Sequence, residues 1–221
     1  MSRPAAERRE DLVALYKEVK ACTRCPLHET RTQAVFGNGN ADADLMFVGE
    51  APGMHEDQQG IPFVGRAGQL LDELLREVGL SREEMFVCNV LKSRPPGNRD
   101  PQPDEILACR PYLELQVELI EPRVICTLGN FATKLLTRSQ RGITSVRGRP
   151  QEHQLGGRMV QIYPIFHPAA GLRTPKVKEQ LREDFARLPA LLAEAVPQPP
   201  AAAAEPEPEE PPPADQLGLF G

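Results

Sequence analysis

The chain has 221 residues, 40% of them hydrophobic and 26% charged, with five cysteines and a formal charge of −5. That is enough apolar residue for a sizeable core without disulfides, yet no apolar run approaches the ~20 residues a membrane-spanning helix needs. The polar N-terminal residues lack the apolar stretch of an export signal and the cysteine count is odd, which points to a reducing cytoplasm rather than a disulfide framework.

Residues 7–20 predict an amphipathic helix, with Leu12, Val13, Leu15, Tyr16 and Val19 at near-helical spacing. Leu45-Met46-Phe47-Val48-Gly49 predicts a short buried strand running into Glu50-Ala51-Pro52-Gly53. Residues 65–78 predict a helix with Leu70, Leu71, Leu74, Leu75 and Val78 on one face and Gly79 at its C-cap. A second strand, residues 85–91, stops at Lys92-Ser93-Arg94-Pro95-Pro96-Gly97, which can continue neither element. Residues 104–120 predict a long helix opened by Pro103 and Asp104. A third strand at 123–128, a helix at 130–136, a fourth strand at 160–166 and a last helix at 176–195 complete the pattern.

This alternation predicts an α/β fold, a three-layer α/β/α sandwich around a mainly parallel four-stranded sheet. In such sheets ligands sit beyond the carboxyl ends of the strands. Four unusual segments fall at those ends: Gly49 to Gly53, Asn89 with the Lys92 to Gly97 loop, Leu128-Gly129-Asn130, and His167-Pro168. Residues 1–195 form the predicted domain. Residues 196–215 are rich in Pro, Ala and Glu and predict a semi-extended linker, and 216–221 return to apolar character.

The charge is unevenly placed. Six acids and no bases follow Arg187, so residues 1–187 carry about +1, with 26 bases against 25 acids. Between Arg123 and Arg182 eleven bases face only Glu152 and Glu179. A basic half within a near-neutral domain is the footprint expected for a phosphate backbone.

Cys22-Thr23-Arg24-Cys25 is a C-x-x-C, which by itself reads as zinc, iron–sulfur or a redox dithiol. Cys109 lies in the long helix and is a plausible third ligand. Cys88 and Cys126 lie inside strands and read better as small buried hydrophobes.

Taken together the motifs resemble those of the iron–sulfur uracil-DNA glycosylases, family 4. They are Cys22-x-x-Cys25, Gly49-Glu50-Ala51-Pro52-Gly53 with Glu56-Asp57, Pro62-Phe63-Val64-Gly65-x-Ala67-Gly68, Asn89-Val90-Leu91-Lys92, Arg94-Pro95-Pro96-x-Asn98-Arg99, Val146-Arg147-Gly148 and His167-Pro168-Ala169. They stand in family order over roughly residues 12–190. The resemblance implies an enzyme that flips uracil out of single- or double-stranded DNA and hydrolyses its N-glycosidic bond, leaving an abasic site. It implies that Phe63 stacks on the base, Asn89 reads its edge, and His167 donates to the uracil oxygen where negative charge develops. Gly49, Glu50 and Ala51 would line the pocket, with Glu50 either orienting water or stabilising the cationic sugar. Arg94, Arg147 and Arg173 would contact DNA, and Leu172 would be the wedge filling the space the base leaves.

The same resemblance implies a [4Fe–4S] cluster on Cys22, Cys25 and Cys109, with the fourth ligand position at residue 93. Here that residue is Ser93, a poor oxygen ligand, which leaves either an oxygen-bound or an open iron. A related cross-linking subgroup carries a reactive histidine in a basic loop after the second strand. This chain has Pro-Pro-Gly-Asn-Arg-Asp-Pro there, which favours turnover over a non-turnover uracil-DNA binder or cross-linker. Gln216-Leu217-Gly218-Leu219-Phe220 resembles the peptide with which bacterial repair proteins dock on the sliding clamp. A monomer and no membrane partner are expected.

Overall fold

A computed structural model of the chain describes residues 3–155 and 157–194. Helix α1 (Ala5–Ala21) and the single turn α2 (Leu27–Thr30) lead to a two-residue edge strand, β1 (Asn38–Gly39). The buried strand β2 (Leu45–Gly49) is followed by α3 (Met54–Gln59) and α4 (Arg66–Glu77), and β3 (Phe86–Asn89) by α5 (Pro103–Ile120). Then come β4 (Val124–Leu128), α6 (Asn130–Thr137), α7 (Ile143–Val146), β5 (Gln151–Leu155) and β6 (Arg158–Ile165). Three helices follow: α8 (Pro168–Gly171), α9 (Pro175–Phe185) and α10 (Leu188–Glu194).

Among the described residues six strands form one sheet in the order β1-β3-β2-β4-β6-β5. The inner four, β3, β2, β4 and β6, are parallel and are the four strands expected from their apolar runs. The two edges are antiparallel and were not expected. β1 is only Asn38-Gly39, and β5 is the mostly polar Gln151-Glu152-His153-Gln154-Leu155, so neither carries a buried-strand pattern.

The inner strands are buried on both faces, as βαβ crossovers require. Met46 and Val48 of β2 join a core with Leu12, Leu15 and Val19 of α1 and Leu113 and Val117 of α5. Leu45 and Phe47 join the opposite core, with Leu70, Leu71, Leu74 and Leu75 of α4 and Leu181 and Phe185 of α9. Each such fully buried side chain contributes on the order of 2 kcal/mol. The long C-terminal helix expected over 176–195 is instead divided between α9 and α10. At the break, Asp184 binds Arg147, and Arg187 donates to the Gly148 carbonyl at 2.5 Å.

From β2 the chain moves to β3 on one side, then crosses back over β2 to β4 on the other. That reversal opens a crevice at the carboxyl ends of the central strands. The linker at 196–215 and the apolar peptide at 216–221 lie outside the described residues.

Candidate active site

A cleft of about 570 Å³ opens at this end of the sheet. It is lined by Glu50 and Ala51 after β2, Phe63 before α4, Asn89 at the end of β3, and His167, Ala169 and Arg173 after β6. Residues far apart in sequence meet because three parallel strands end side by side.

Asn89 is 2% exposed, and among the described residues its amide makes no hydrogen bond. Its main chain is firmly placed: Val90 N–H donates to the Gly49 carbonyl at 2.9 Å and Leu91 N–H to the Glu50 carbonyl at 3.0 Å. The amide is therefore held at the cleft with both its donor and its acceptor free.

Phe63 has φ of 55°, a left-handed conformation that a bulky residue adopts only under constraint. Two charged groups supply that constraint. Arg82 donates to the Phe63 carbonyl at 2.9 Å and also to the Pro62 carbonyl, while pairing with Asp72 at 3.1 Å. On the other side the Glu56 carboxylate accepts from Val64 N–H at 3.1 Å, Gly65 N–H at 3.0 Å and Gly53 N–H at 3.1 Å. Gly68 permits the same turn, since a Cβ there would lie 1.7 Å from the Phe63 carbonyl oxygen. The Phe63 ring stacks on that of His167, with centroids 5.6 Å apart and planes inclined by 26°.

His167 accepts from Ala169 N–H through Nδ1 at 3.1 Å. Burial lowers its pKa to about 4, against a smaller upward pull from Glu56. The ring is thus neutral at pH 7 and, with Nδ1 occupied as acceptor, carries its proton on Nε2. A neutral imidazole with a committed acceptor nitrogen is a hydrogen-bond donor toward an oxygen that gains negative charge.

The Glu50 carboxylate accepts no hydrogen bond among the described residues, and burial, then Asp100, raises its pKa. Asp100 lines the same cleft, as does Arg99, whose guanidinium is paired with the buried Glu105 at 2.5 Å. Gly49 lies beneath the cleft. A Cβ on it would stand 2.3 Å from Asn89 Oδ1 and 2.7 Å from Phe63 Cζ, so only glycine lets those two groups close over the strand.

The residues expected to meet DNA are placed unequally. Arg173 lines the cleft and Leu172 is 39% exposed beside it. Arg94 stands on the adjoining loop, where Nε donates to Asn98 Oδ1 at 2.7 Å. Arg147 is engaged within the protein: it bonds Asp184, Glu183 and the Gln180 carbonyl and lies over the Phe166 ring. Of the eleven bases between Arg123 and Arg182, five are paired with acids: Arg123, Arg147, Arg158, Lys178 and Arg182. The positive field of that segment is correspondingly weaker than its composition suggests.

Glu56, Arg82 and Asp100 were not singled out as site residues by sequence. Glu56 carried a usable signal, a carboxylate three residues after Gly53 at the start of α3, where it caps free N–H groups. Arg82 and Asp100 carried none.

Cys22, Cys25 and Cys109 belong to the core between the sheet and helices α1 and α5. Cys22 and Cys25 are half-buried in the turn between α1 and α2, and Cys109 is buried on α5. Burial raises the thiol pKa of Cys25 and Cys109. Ser93 Oγ accepts from Arg31 Nη1 at 3.0 Å. Among the described residues no three of His, Cys, Asp and Glu are placed to share a metal ion. The donor set is three thiols and a hydroxyl already bound by a cation, one sulfur short of a four-thiolate cluster.

The profile of the Uracil DNA glycosylase superfamily matches residues 36–188. The chain is 46% identical over 188 residues to the type-4 uracil-DNA glycosylase of Saccharolobus solfataricus, covering 83% of this chain and 86% of that one. It is 43% identical over 192 residues to the type-4 enzyme of Archaeoglobus fulgidus, covering 85% and 96%. To that of Thermotoga maritima it is 50% identical over 167 residues, covering 75% and 85%. The matched region contains every cleft residue described above, and the chain belongs to the type-4 uracil-DNA glycosylases.

Proposed function

We propose that this chain excises uracil from DNA by hydrolysing the N-glycosidic bond. The observation that carries this reading is the convergence of a free Asn89 amide, a neutral His167 and the Phe63 ring on one cleft at the strand ends. Asn89 offers a donor and an acceptor to the uracil edge, which presents N3–H beside a carbonyl oxygen. Phe63 offers a flat apolar face for the flipped base. As the C1′–N1 bond breaks, its electron pair leaves with uracil. The His167 Nε2–H stabilises the resulting charge on the base oxygen, without proton transfer, because a pKa of about 4 keeps the ring neutral throughout. Glu50, an unpartnered carboxylate in the cleft, stabilises the cation-like sugar and orients the water that attacks it. Arg173 and Arg94 hold the flanking phosphates, and Leu172 is the wedge.

Cys22, Cys25 and Cys109 are the residues that would attach an iron–sulfur cluster, and one iron would lack a sulfur ligand from the chain. No step of the reaction above passes through that cluster. Its contribution would be structural, tying α1 to α5 and to the loop at Ser93. The Gln216-Leu217-Gly218-Leu219-Phe220 peptide is proposed to dock on a sliding clamp; deleting it should abolish clamp binding, and unchanged affinity would sink that assignment. A cytoplasmic location and a monomer fit these roles.

The test of the site is substitution. Asn89→Ala and His167→Ala should each lower the single-turnover rate of uracil release by a hundredfold or more, on the order of 3 kcal/mol. Their affinity for DNA containing an abasic site should change by less than about threefold. Near-parental rates for both would overturn the site.

A further inference from the structure

Behind Asn89 lies a buried ammonium that the reaction does not touch. Lys92 is 2% exposed and has no carboxylate partner among the described residues. Its Nζ donates to the Asn89 main-chain carbonyl at 2.7 Å and to Gln116 Oε1 at 2.6 Å. Both of its observed acceptors are amide oxygens, one main-chain and one side-chain. Gln116, wholly buried on α5, is fixed in turn by donating to the Phe36 carbonyl at 2.9 Å. A charged group in an apolar interior is costly, and a methionine of similar length would fill the same volume without that cost. What methionine could not do is grip a carbonyl.

We propose that Lys92 is a positioning residue that sets the orientation of the Asn89 amide. The inference rests on Asn89 being the base reader. The ammonium holds the Asn89 carbonyl turned into the protein, and with that peptide fixed the side chain of the same residue is directed to the cleft. Gln116 is the anchor that fixes the ammonium itself. Ser93 is the next residue after Lys92, so the cysteine site and the base reader share one short segment of chain.

Lys92→Met, Gln116→Leu and Gln116→Glu are compared with the parent protein and with Asn89→Ala. For each, the saturating single-turnover rate on uracil-containing DNA, the half-saturating concentration and the melting temperature are measured on the full chain. Lys92→Met should lower the saturating rate about a hundredfold, the effect expected of a misplacement near 1 Å, with half-saturation within about threefold of the parent. Gln116→Leu should lower it by roughly tenfold, and Gln116→Glu, which keeps an acceptor for the ammonium but loses the donation to the Phe36 carbonyl, should be faster than Gln116→Leu by about threefold or more. Equal rates for Gln116→Leu and Gln116→Glu, or a Lys92→Met rate within about threefold of the parent, overturn the proposal if Asn89→Ala is slow. A purely structural role would lower melting temperature in all three without separating their saturating rates. If Lys92→Met does not fold, the two Gln116 variants decide the matter by the same comparison. If Asn89→Ala itself is as fast as the parent, it is the base-reading assignment that fails.

Discussion

Gly49→Ala is a substitution of one methyl group whose consequences follow from two distances. The added carbon would stand 2.3 Å from Asn89 Oδ1 and 2.7 Å from Phe63 Cζ, where ordinary contacts begin at 3.4 Å. Asn89 must therefore move by about 1 Å and Phe63 by a little less to restore van der Waals separation. Phe63 has little freedom, because Arg82 and Glu56 hold the chain on both sides of it. The Asn89 main chain is also laced to Gly49 and Glu50, so its side-chain amide makes the larger shift. Overpacking of this kind costs about 1–3 kcal/mol of stability, and a 1 Å displacement of a reading group costs on the order of a hundredfold in rate. The assay is single-turnover uracil release on a duplex with one uracil, with a thermal melt of the same sample. The rate should fall about a hundredfold while the protein stays folded at the assay temperature. A rate within about threefold of the parent would refute the claim that Gly49, Asn89 and Phe63 enclose the base.

Three further outcomes follow from the same geometry. His167 should titrate near pH 4 by NMR rather than near 6.5, and uracil release should show no histidine-linked loss of rate between pH 6 and 8. Because the folded-state pKa is lowered, the unfolded chain binds the proton more readily. The stability this adds, on the order of 3 kcal/mol, is complete above about pH 6.5 and is lost as pH falls toward 4. Glu50, whose pKa is raised by burial and by Asp100, should make Asp100→Asn shift the acid limb of the rate profile to lower pH. Ser93→Cys should increase the iron retained per chain after chelator challenge, read by metal analysis and visible absorbance; equal retention would exclude residue 93 as the weak point of the cysteine site.

Much of the architecture was legible because its determinants are local. Leu45 to Val48 is an unbroken apolar run, Val124 to Leu128 is interrupted only by Thr127, and Leu70, Leu71, Leu74 and Leu75 fall on one helical face, so strands and helices declare themselves. β1 and β5 did not, because an antiparallel edge needs neither length nor apolar faces. The break between α9 and α10 depends on Asp184 and Arg187 reaching the Arg147-Gly148 loop, a contact between distant parts of the chain. The cleft was legible through motifs at the strand ends, which bring Glu50, Phe63, Asn89, His167 and Arg173 together. Its constraints were not. The positive φ of Phe63, the Arg82 clamp and the burial of Lys92 are properties of packing. The same holds for Arg147: a sequence records its charge but not that Asp184 and Glu183 already neutralise it.

The central claim is that the cleft performs repeated hydrolysis of the uracil–sugar bond. Its most direct test is to incubate a uracil-containing oligonucleotide in about tenfold excess over the purified chain and quantify free uracil alongside abasic strand. Several equivalents of each per protein, rising together with time, are expected. No free uracil, or a single equivalent of DNA held covalently on the protein, would contradict it.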